Sequence, residues 1–333
     1  MDQPRELLRS LAVAAAIAVP ISLVALGFLA LVGAATDLLW SDLPATLGIE
    51  PSSWWWVLLV PTVGGALAGL AVRRLPGGGG HDPINGFSAG PVEPSAIAGV
   101  ALAALATLAF GAVLGPEAPL IALGSALGVW GARLFRQTGK VEALAASSGL
   151  FAAISALFGN PLLAAFLVLE VIGATALSAP LVAVVLPGLL AAGLGYLVFT
   201  GVGDWSGVTP EGLAIDGLAA YPTLRLADLL WAALLGFALA GLAVMVRAGA
   251  ARVHTTAAHH PAVVAPIGGA AVGALALLFG ATGEDPTVVL FSGQDQLGTI
   301  VSQGPGWGAG VPMLLVLAKA AAYSVSLLSL IHI

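Results

Sequence analysis

Apolar runs of about 18 residues or more recur along the chain, and short polar segments separate them. Strands of a membrane barrel would instead alternate apolar and polar residues. The composition agrees with membrane helices, because 59% of the residues are hydrophobic, only 8% are charged and the mean hydropathy is +1.03. These features predict an all-α, polytopic membrane protein, since a soluble globular domain carries far more charge.

Basic residues indicate the orientation of the spans, because Lys and Arg tend to stay in cytoplasmic loops. Arg5 and Arg9 precede a first apolar run that is too long for a signal-peptide core of about 7–15 residues. Counting crossings from a cytoplasmic N-terminus places all 11 Lys and Arg on one side, except Arg225 and Lys319. We therefore expect a multi-pass cell-membrane protein with its N-terminus in the cytoplasm. An outer loop is expected over 37–51, between the first two spans. The expected spans are 11–36, 54–72, 95–113, 116–134, 142–158, 161–175, 180–200, 226–246 and 262–280.

Four of these apolar regions are interrupted by Gly and Pro. The breaks lie at 76–83, 115–119 and 159–161 and around 293–298. Irregular backbone at membrane depth is tolerated only where protein or a water-filled cavity surrounds it, and broken helices mark many transport sites. The alternative is that these are ordinary surface loops, and this alternative is strongest for the Gly-rich break at 76–83.

Glu117 lies within the second break, between Pro116 and Pro119, in a stretch that is otherwise apolar. A carboxylate at bilayer depth is costly and is therefore a candidate functional residue. Proline suits the first turn of a helix, so we expect a new helix to begin near Pro116 with unpaired N–H groups. Such a helix start favours an anion. The alternative is that Glu117 only caps its helix at the membrane surface.

The sequence gives little indication of metal sites or disulfides. It has no cysteine, which excludes disulfides and thiolate metal sites. The five histidines show no spacing typical of a metal site, and His254, His259 and His260 indicate a polar loop before Pro261. We expect no metal, no cofactor and no nucleic-acid partner.

Taken in order, the interrupted segments resemble the CLC family of chloride channels and anion/proton antiporters. Residues 115–119 (GPEAP) are similar to the family's outer-gate motif, Gly-Lys/Arg-Glu-Gly-Pro. Residues 149–170, which contain GNPL and end in a glutamate, resemble the Asn-Ala-Pro-Leu-Ala-Gly segment. Residues 79–83 (GGHDP) stand in the place of Gly-Ser-Gly-Ile-Pro. Later residues, 291–298 and 319–324, look like the segments before the Gly-x-Phe-x-Pro motif.

The resemblance implies an inverted-repeat architecture with broken and re-entrant helices. It also implies a homodimer in membrane lipid. The protein is expected to move chloride or a similar small anion, alone or together with protons. The resemblance implies that Glu117 is the gating glutamate. It also assigns Glu170 and Val171 to the position of the family's glutamate pair, where a structural role for Glu170 is the main expectation and a proton pathway the alternative. The anion-binding residues implied are Gly79, Gly80, His81, Gly115, Pro116, Ala118 and Leu120.

Two departures from the family's pattern bear on mechanism. Gly80 occupies the position of the serine that usually faces the central anion, so an anion there would rest on backbone N–H groups. Val171 stands where proton-coupled members often carry an internal proton-transfer glutamate. The sequence therefore leaves channel and antiporter open, and it does not choose between chloride, fluoride and nitrate.

We expect two membrane repeats, residues 1–205 and an incomplete second repeat over 206–333. The last residues, 330–333, do not match the Ser/Gly-rich stretch that follows in the family. This predicts that the sequence is a fragment, which sequencing past the end of the reading frame would test.

Two other classes of function remain open. An intramembrane enzyme could use His81, Asp82 and Glu117 as acid and base, although no nucleophile or metal set accompanies them. A transporter of another solute or of a cation would also need a carboxylate near the membrane centre. We expect no enzymatic activity.

Overall fold

The computed structural model describes residues 3–77, 90–175, 181–206, 223, 225–293, 296–308 and 310–329. All regular structure in these residues is helical. The α-helices are α1 (Gln3–Asp37), α2 (Leu43–Leu47), α3 (Trp54–Arg74), α4 (Ile97–Leu108), α5 (Glu117–Leu134), α6 (Lys140–Phe158), α7 (Pro161–Thr175), α8 (Leu181–Ser206), α9 (Leu226–His259), α10 (Pro261–Gly280), α11 (Leu297–Gln303) and α12 (Gly310–Ser329).

Seven helical segments within the described ranges are long and apolar enough to cross a bilayer. The chain is therefore a multi-pass membrane protein, as the sequence predicts. The segments are Leu7–Leu47, Trp54–Arg74, Lys140–Phe158, Val184–Gly201, Leu226–Gly249, Pro261–Gly280 and Gly310–Leu327.

The prediction of an outer loop directly after the first span is wrong for the first residues of that loop. A π-helical turn, Leu38–Asp42, follows α1 without interruption, and α2 continues it to Leu47. Pro44 lies in the first turn of α2, where proline needs no N–H partner, and Gly48 ends the helix with a left-handed φ of 66°. The extension carries Trp40, which is buried against other helices.

The span expected over 95–113 is shorter than predicted. The helix α4 has 12 residues, about 18 Å, and ends at Leu108, so it reaches only part of the way through a hydrocarbon core of about 30 Å. Gly111 then turns the backbone with a φ of 91°. The chain therefore reverses inside the protein, and residues 109–116 form the turn that precedes α5. We call these residues the α4–α5 turn.

Small residues allow the spans to pack closely. A Cβ atom placed on Gly273 of α10 would lie 2.6 Å from the carbonyl oxygen of Val57 in α3. One placed on Gly124 of α5 would lie 2.6 Å from the carbonyl oxygen of Gly149 in α6. Close backbone contact through glycine is a common way for membrane helices to associate.

Buried apolar side chains form two clusters. The first joins α1, α4, α5, α6 and α8 around residues such as Phe151, Ile154 and Leu120. The second joins α3, α10 and α12 around residues such as Phe279 and Val57. The α4–α5 turn contributes to both clusters, so it is held between the two parts of the structure.

The prediction of a polar loop around His254 and His259 is wrong. The helix α9 continues to His259, and His260 is the residue before α10. Alanine is the best helix former, and this stretch is rich in it, so the helix persists until Pro261 begins the next one.

An ion-pair network links the segment before α4 to α5 and α6. The Arg133 guanidinium donates two hydrogen bonds to the Glu93 carboxylate, at 2.8 and 2.9 Å, and another to Glu142 at 2.9 Å. The bidentate bond to Arg133 holds the pKa of the Glu93 carboxyl below its ordinary value. The network ties the segment before α4 to the end of α5.

Candidate functional site

The helix that begins at the second Gly/Pro break is present where the sequence predicts it. Pro116 is the residue before α5, and Glu117 is its first residue. Because α4 ends early and α5 begins after the α4–α5 turn, Glu117 stands at a helix start in the interior of the bundle. Its side chain is half-buried.

The Glu117 carboxylate folds back over the residue two positions before it. A Cβ atom placed on Gly115 would lie 2.6 Å from the carboxyl carbon of Glu117 and 2.8 Å from Oε1. The carboxylate also accepts a hydrogen bond from its own backbone N–H. It thus occupies the electropositive start of α5, the position that a bound anion would take.

Few other N–H groups of the described residues surround this position. Pro116 and Pro119 have none. The Leu120 N–H donates to the Pro116 carbonyl at 3.0 Å, so this N–H is not available to an anion. The N–H groups of Gly115 and Ala118 have no partner among the described residues. Among the described residues, these two N–H groups are available to an anion.

The α4–α5 turn is held by two aromatic residues that are distant in sequence. The Trp40 indole N–H donates to the Ala109 carbonyl at 3.1 Å, and the Phe291 N–H donates to the Gly111 carbonyl at 3.3 Å. The two rings meet edge to face, with centroids 5.5 Å apart. Such a pair packs favourably and fixes both side chains.

The last helix completes this support. The buried Ser326 hydroxyl of α12 accepts a hydrogen bond from the Val113 N–H at 3.2 Å. One turn nearer the start of α12, the Tyr323 hydroxyl lies within electrostatic range of the Glu117 carboxylate. The C-terminal part of the described chain therefore contacts the turn.

Lys319 of α12 fixes the segment that carries Phe291. Its ammonium donates to the carbonyls of Leu290, Phe291 and Val289 at 3.1, 3.3 and 3.4 Å. Phe291 has a φ of 61°, a left-handed conformation that is unfavourable for a bulky residue. The cation offsets this cost by pairing carbonyls that the tight turn leaves without helical partners.

The structure describes only some of the predicted site residues. Gly79, Gly80, His81 and Asp82 lie outside the described residues, as does any contact that they make with Glu117. Glu170 is exposed on α7 and has no hydrogen-bond partner within the described ranges. Val171 also lies on α7.

Neither of two open pockets in the described part of the chain is lined by Glu117. One of about 500 Å³ lies beside the loop after α10, and one of about 380 Å³ lies between α3 and α4. No group of three or more His, Asp or Glu side chains suited to a metal is found among the residues that the structure describes. Within the described residues, the site therefore consists of one carboxylate and a helix start.

Sequence reasoning missed Trp40 and Ser326 as parts of the site. A tryptophan after an apolar span is usually an interfacial anchor, and a serine in an apolar helix usually bonds its own backbone. Neither pattern indicates a contact 69 or 213 residues away.

A family model described as voltage gated chloride channel matches residues 64–332, which is most of the chain. The curated relatives include a putative ion-transport protein YfeO of Escherichia coli, 38% identical over 157 residues, and its counterpart of Escherichia fergusonii, also 38% identical over 157 residues. Each match covers 46% of this chain and 37% of the relative, so the matched part spans well under half of the relatives' length.

Two solved structures share the fold. A slow cyanobacterial Cl⁻/H⁺ antiporter superposes with a TM-score of 0.72 and 16% identity, over 96% of this chain and 75% of its own. A CLC-type fluoride/proton antiporter gives a TM-score of 0.64 and 17% identity, over 97% of this chain and 77% of its own. The chain belongs to the voltage gated chloride channel family, the CLC family that the interrupted helices resemble.

Proposed function

We propose that this protein moves small anions across the membrane, as a channel or as an anion/proton antiporter, and that Glu117 is its gate. The observation that carries the proposal is the position of the Glu117 carboxylate, folded over Gly115 at the start of α5. Membership of a family of ion channels and transporters supports it.

The proposed mechanism is a competition between a tethered and a free anion. The start of a helix carries roughly half a positive charge and unpaired N–H groups, which attract either one. While the Glu117 carboxylate occupies this position, a permeating anion cannot. Protonation removes the negative charge, and rotation of the side chain removes the obstacle, so either event opens the path. The N–H groups of Gly115 and Ala118 then serve the anion.

The test is anion flux from proteoliposomes that contain the purified protein or its Glu117→Gln variant. The amide keeps the size of the side chain but not its charge, so we expect faster flux and a weaker dependence of flux on pH. Glu50→Gln, an exposed carboxylate between α2 and α3, is the matched control and should behave like the unchanged protein. Unchanged rate and pH dependence in Glu117→Gln would refute gating.

The choice of anion and of coupling needs a second measurement. Relatives of the same fold are a Cl⁻/H⁺ antiporter and a fluoride/proton antiporter. We propose chloride or a similar small anion as the substrate. Proton movement driven by an anion gradient would identify an antiporter, and its absence a channel. Because Val171 offers no carboxyl group at the position in question, proton coupling would require another route, of which Glu170 is one candidate.

The assembly and topology are further parts of the proposal. We propose a homodimer with a cytoplasmic N-terminus, built from two repeats over 1–205 and 206–333. The absence of cysteine from the chain makes the orientation easy to test, because a single cysteine introduced at Gln3 would be the only thiol to label. Labelling from outside intact cells would contradict the proposed orientation.

The flux experiment also separates the alternatives. Flux of a cation or an organic solute in place of anions would identify a transporter of another kind. Turnover of a lipid or peptide without ion flux would identify an intramembrane enzyme. The match to a family of channels and transporters argues against this alternative.

A further inference from the structure

An open groove of about 380 Å³ runs along the outside of the bundle between α3 and α4. Its walls are one face of each helix, since the lining residues recur at helical spacing of three and four. They are Leu67, Leu70, Ala71, Arg74 and Leu75 from α3 and the residue after it, and Leu102, Leu105, Ala106 and Phe110 from α4 and the turn that follows.

The two helices touch at both ends of this groove. A Cβ atom placed on Gly64 would lie 2.6 Å from the carbonyl oxygen of Ala106, and one placed on Gly99 would lie 3.3 Å from Cβ of Leu75. The groove between these contacts is therefore a fixed depression and not a gap that the helices could close.

The groove is apolar along its length and ends at a cation. Leu67, Leu70 and Leu102 are 45%, 41% and 50% exposed, which is costly in water but not against lipid. Arg74 is the last residue of α3, is exposed, and has no hydrogen-bond or ion-pair partner among the described residues. From Leu67 to Arg74 the helix rises about 10 Å.

This arrangement matches the two parts of a phospholipid. α3 is long and apolar enough to span the bilayer, so its end lies near the headgroups and the groove lies at the depth of the acyl chains. Basic pockets between membrane helices bind anionic headgroups, and a guanidinium matches a phosphate geometrically. Positive charge at one end of an apolar groove favours a lipid over an apolar helix of a second copy.

We propose that the α3–α4 groove binds one anionic phospholipid, with an acyl chain between Leu70 and Leu105 and its phosphate at the Arg74 guanidinium. The proposal does not depend on anion transport, because its measurement is lipid binding. A failure of either proposal would leave the other untouched.

The experiment is native mass spectrometry of the purified protein titrated with phosphatidylglycerol or phosphatidylcholine in detergent. We expect preferential retention of one phosphatidylglycerol. Arg74→Gln should weaken its binding about five-fold, the effect of one basic residue near the membrane surface. Arg73→Gln is the matched control, since Arg73 carries the same charge on the same turn but does not line the groove, and its effect should be smaller. An equal or larger effect of Arg73→Gln would overturn the proposal.

A second pair of variants tests the apolar part. Ala71→Phe fills the groove and should remove the retained lipid, whereas Ala66→Phe, on an exposed face of α3 outside the groove, should keep it. If Ala71→Phe fails to fold, the two arginine variants decide the question. A change in the number of protein copies instead of the number of lipids would assign the groove to a second copy and overturn the proposal.

Discussion

Gly115→Ala tests whether the position of the Glu117 carboxylate controls flux. The new methyl group would lie 2.6 Å from the carboxyl carbon, whereas carbon atoms in contact are about 3.5–4.0 Å apart. The carboxyl group must therefore move by about 1 Å or more, which a flexible side chain can do. The backbone of Gly115 is not in the left-handed region, so alanine adds no strain there.

The displacement breaks the hydrogen bond that the carboxylate accepts from its own N–H. Hydrogen bonds to charged groups contribute about 1.5–3 kcal/mol. A loss of about 2 kcal/mol shifts the balance between the seated and the displaced carboxylate about 30-fold towards displacement. We therefore expect Gly115→Ala to raise anion flux towards that of Glu117→Gln, although the carboxylate is still present.

The assay is anion flux from proteoliposomes for the single variants and for the Gly115→Ala/Glu117→Gln double variant. If Gly115 acts only through the carboxylate, the double variant should equal Glu117→Gln, and the two effects will not add. Flux and pH dependence like those of the unchanged protein in Gly115→Ala would refute the reasoning. Fully additive effects would refute it as well, since they would mean that Gly115 acts on the path by itself.

Three further predictions concern stability, each measured as the midpoint of thermal unfolding in detergent. Gly124→Ala should destabilise the protein by about 1–3 kcal/mol, because its methyl group meets backbone atoms of α6 that cannot move away. In the control, Gly33→Ala, the methyl group meets nothing within 4 Å, so this variant should be neutral or slightly stabilising. Lys319→Met should destabilise by about 2 kcal/mol, because three carbonyls lose their donor; an unchanged midpoint would contradict the proposed support of the turn. Glu93→Gln should lower the midpoint slightly at neutral pH. The pKa of Glu93 is lowered from 4.5, so the ion pair stabilises fully above that pH and is lost as the pH falls through the lowered pKa. The difference between the variant and the unchanged protein should therefore vanish in acid, and a difference that persists there would exclude the ion pair as its cause.

The helix boundaries show where sequence reasoning is reliable. Hydropathy and basic residues predict a span over 54–72, and α3 covers Trp54–Arg74. The Gly/Pro break predicts a helix that begins near Pro116, and α5 begins at the next residue. Both predictions depend on local properties, namely transfer of side chains into lipid and the fixed φ of proline.

The predictions that fail depend on packing. Nothing in the composition of 95–113 stops a helix at Leu108, because apolar residues continue beyond it. The turn forms there since Trp40 and Phe291 supply partners for the carbonyls of Ala109 and Gly111. A straight span would satisfy those carbonyls internally, so only the neighbouring elements make the shorter helix possible.

The sequence by itself determined that this chain crosses a membrane many times and carries a carboxylate at a helix start, because both follow from properties of adjacent residues. The tertiary structure decided where that carboxylate points and what supports it. The partners of the α4–α5 turn, including Lys319 through Phe291, come from segments as far as 213 residues away. Such contacts arise from the way whole helices pack, and no local pattern specifies them.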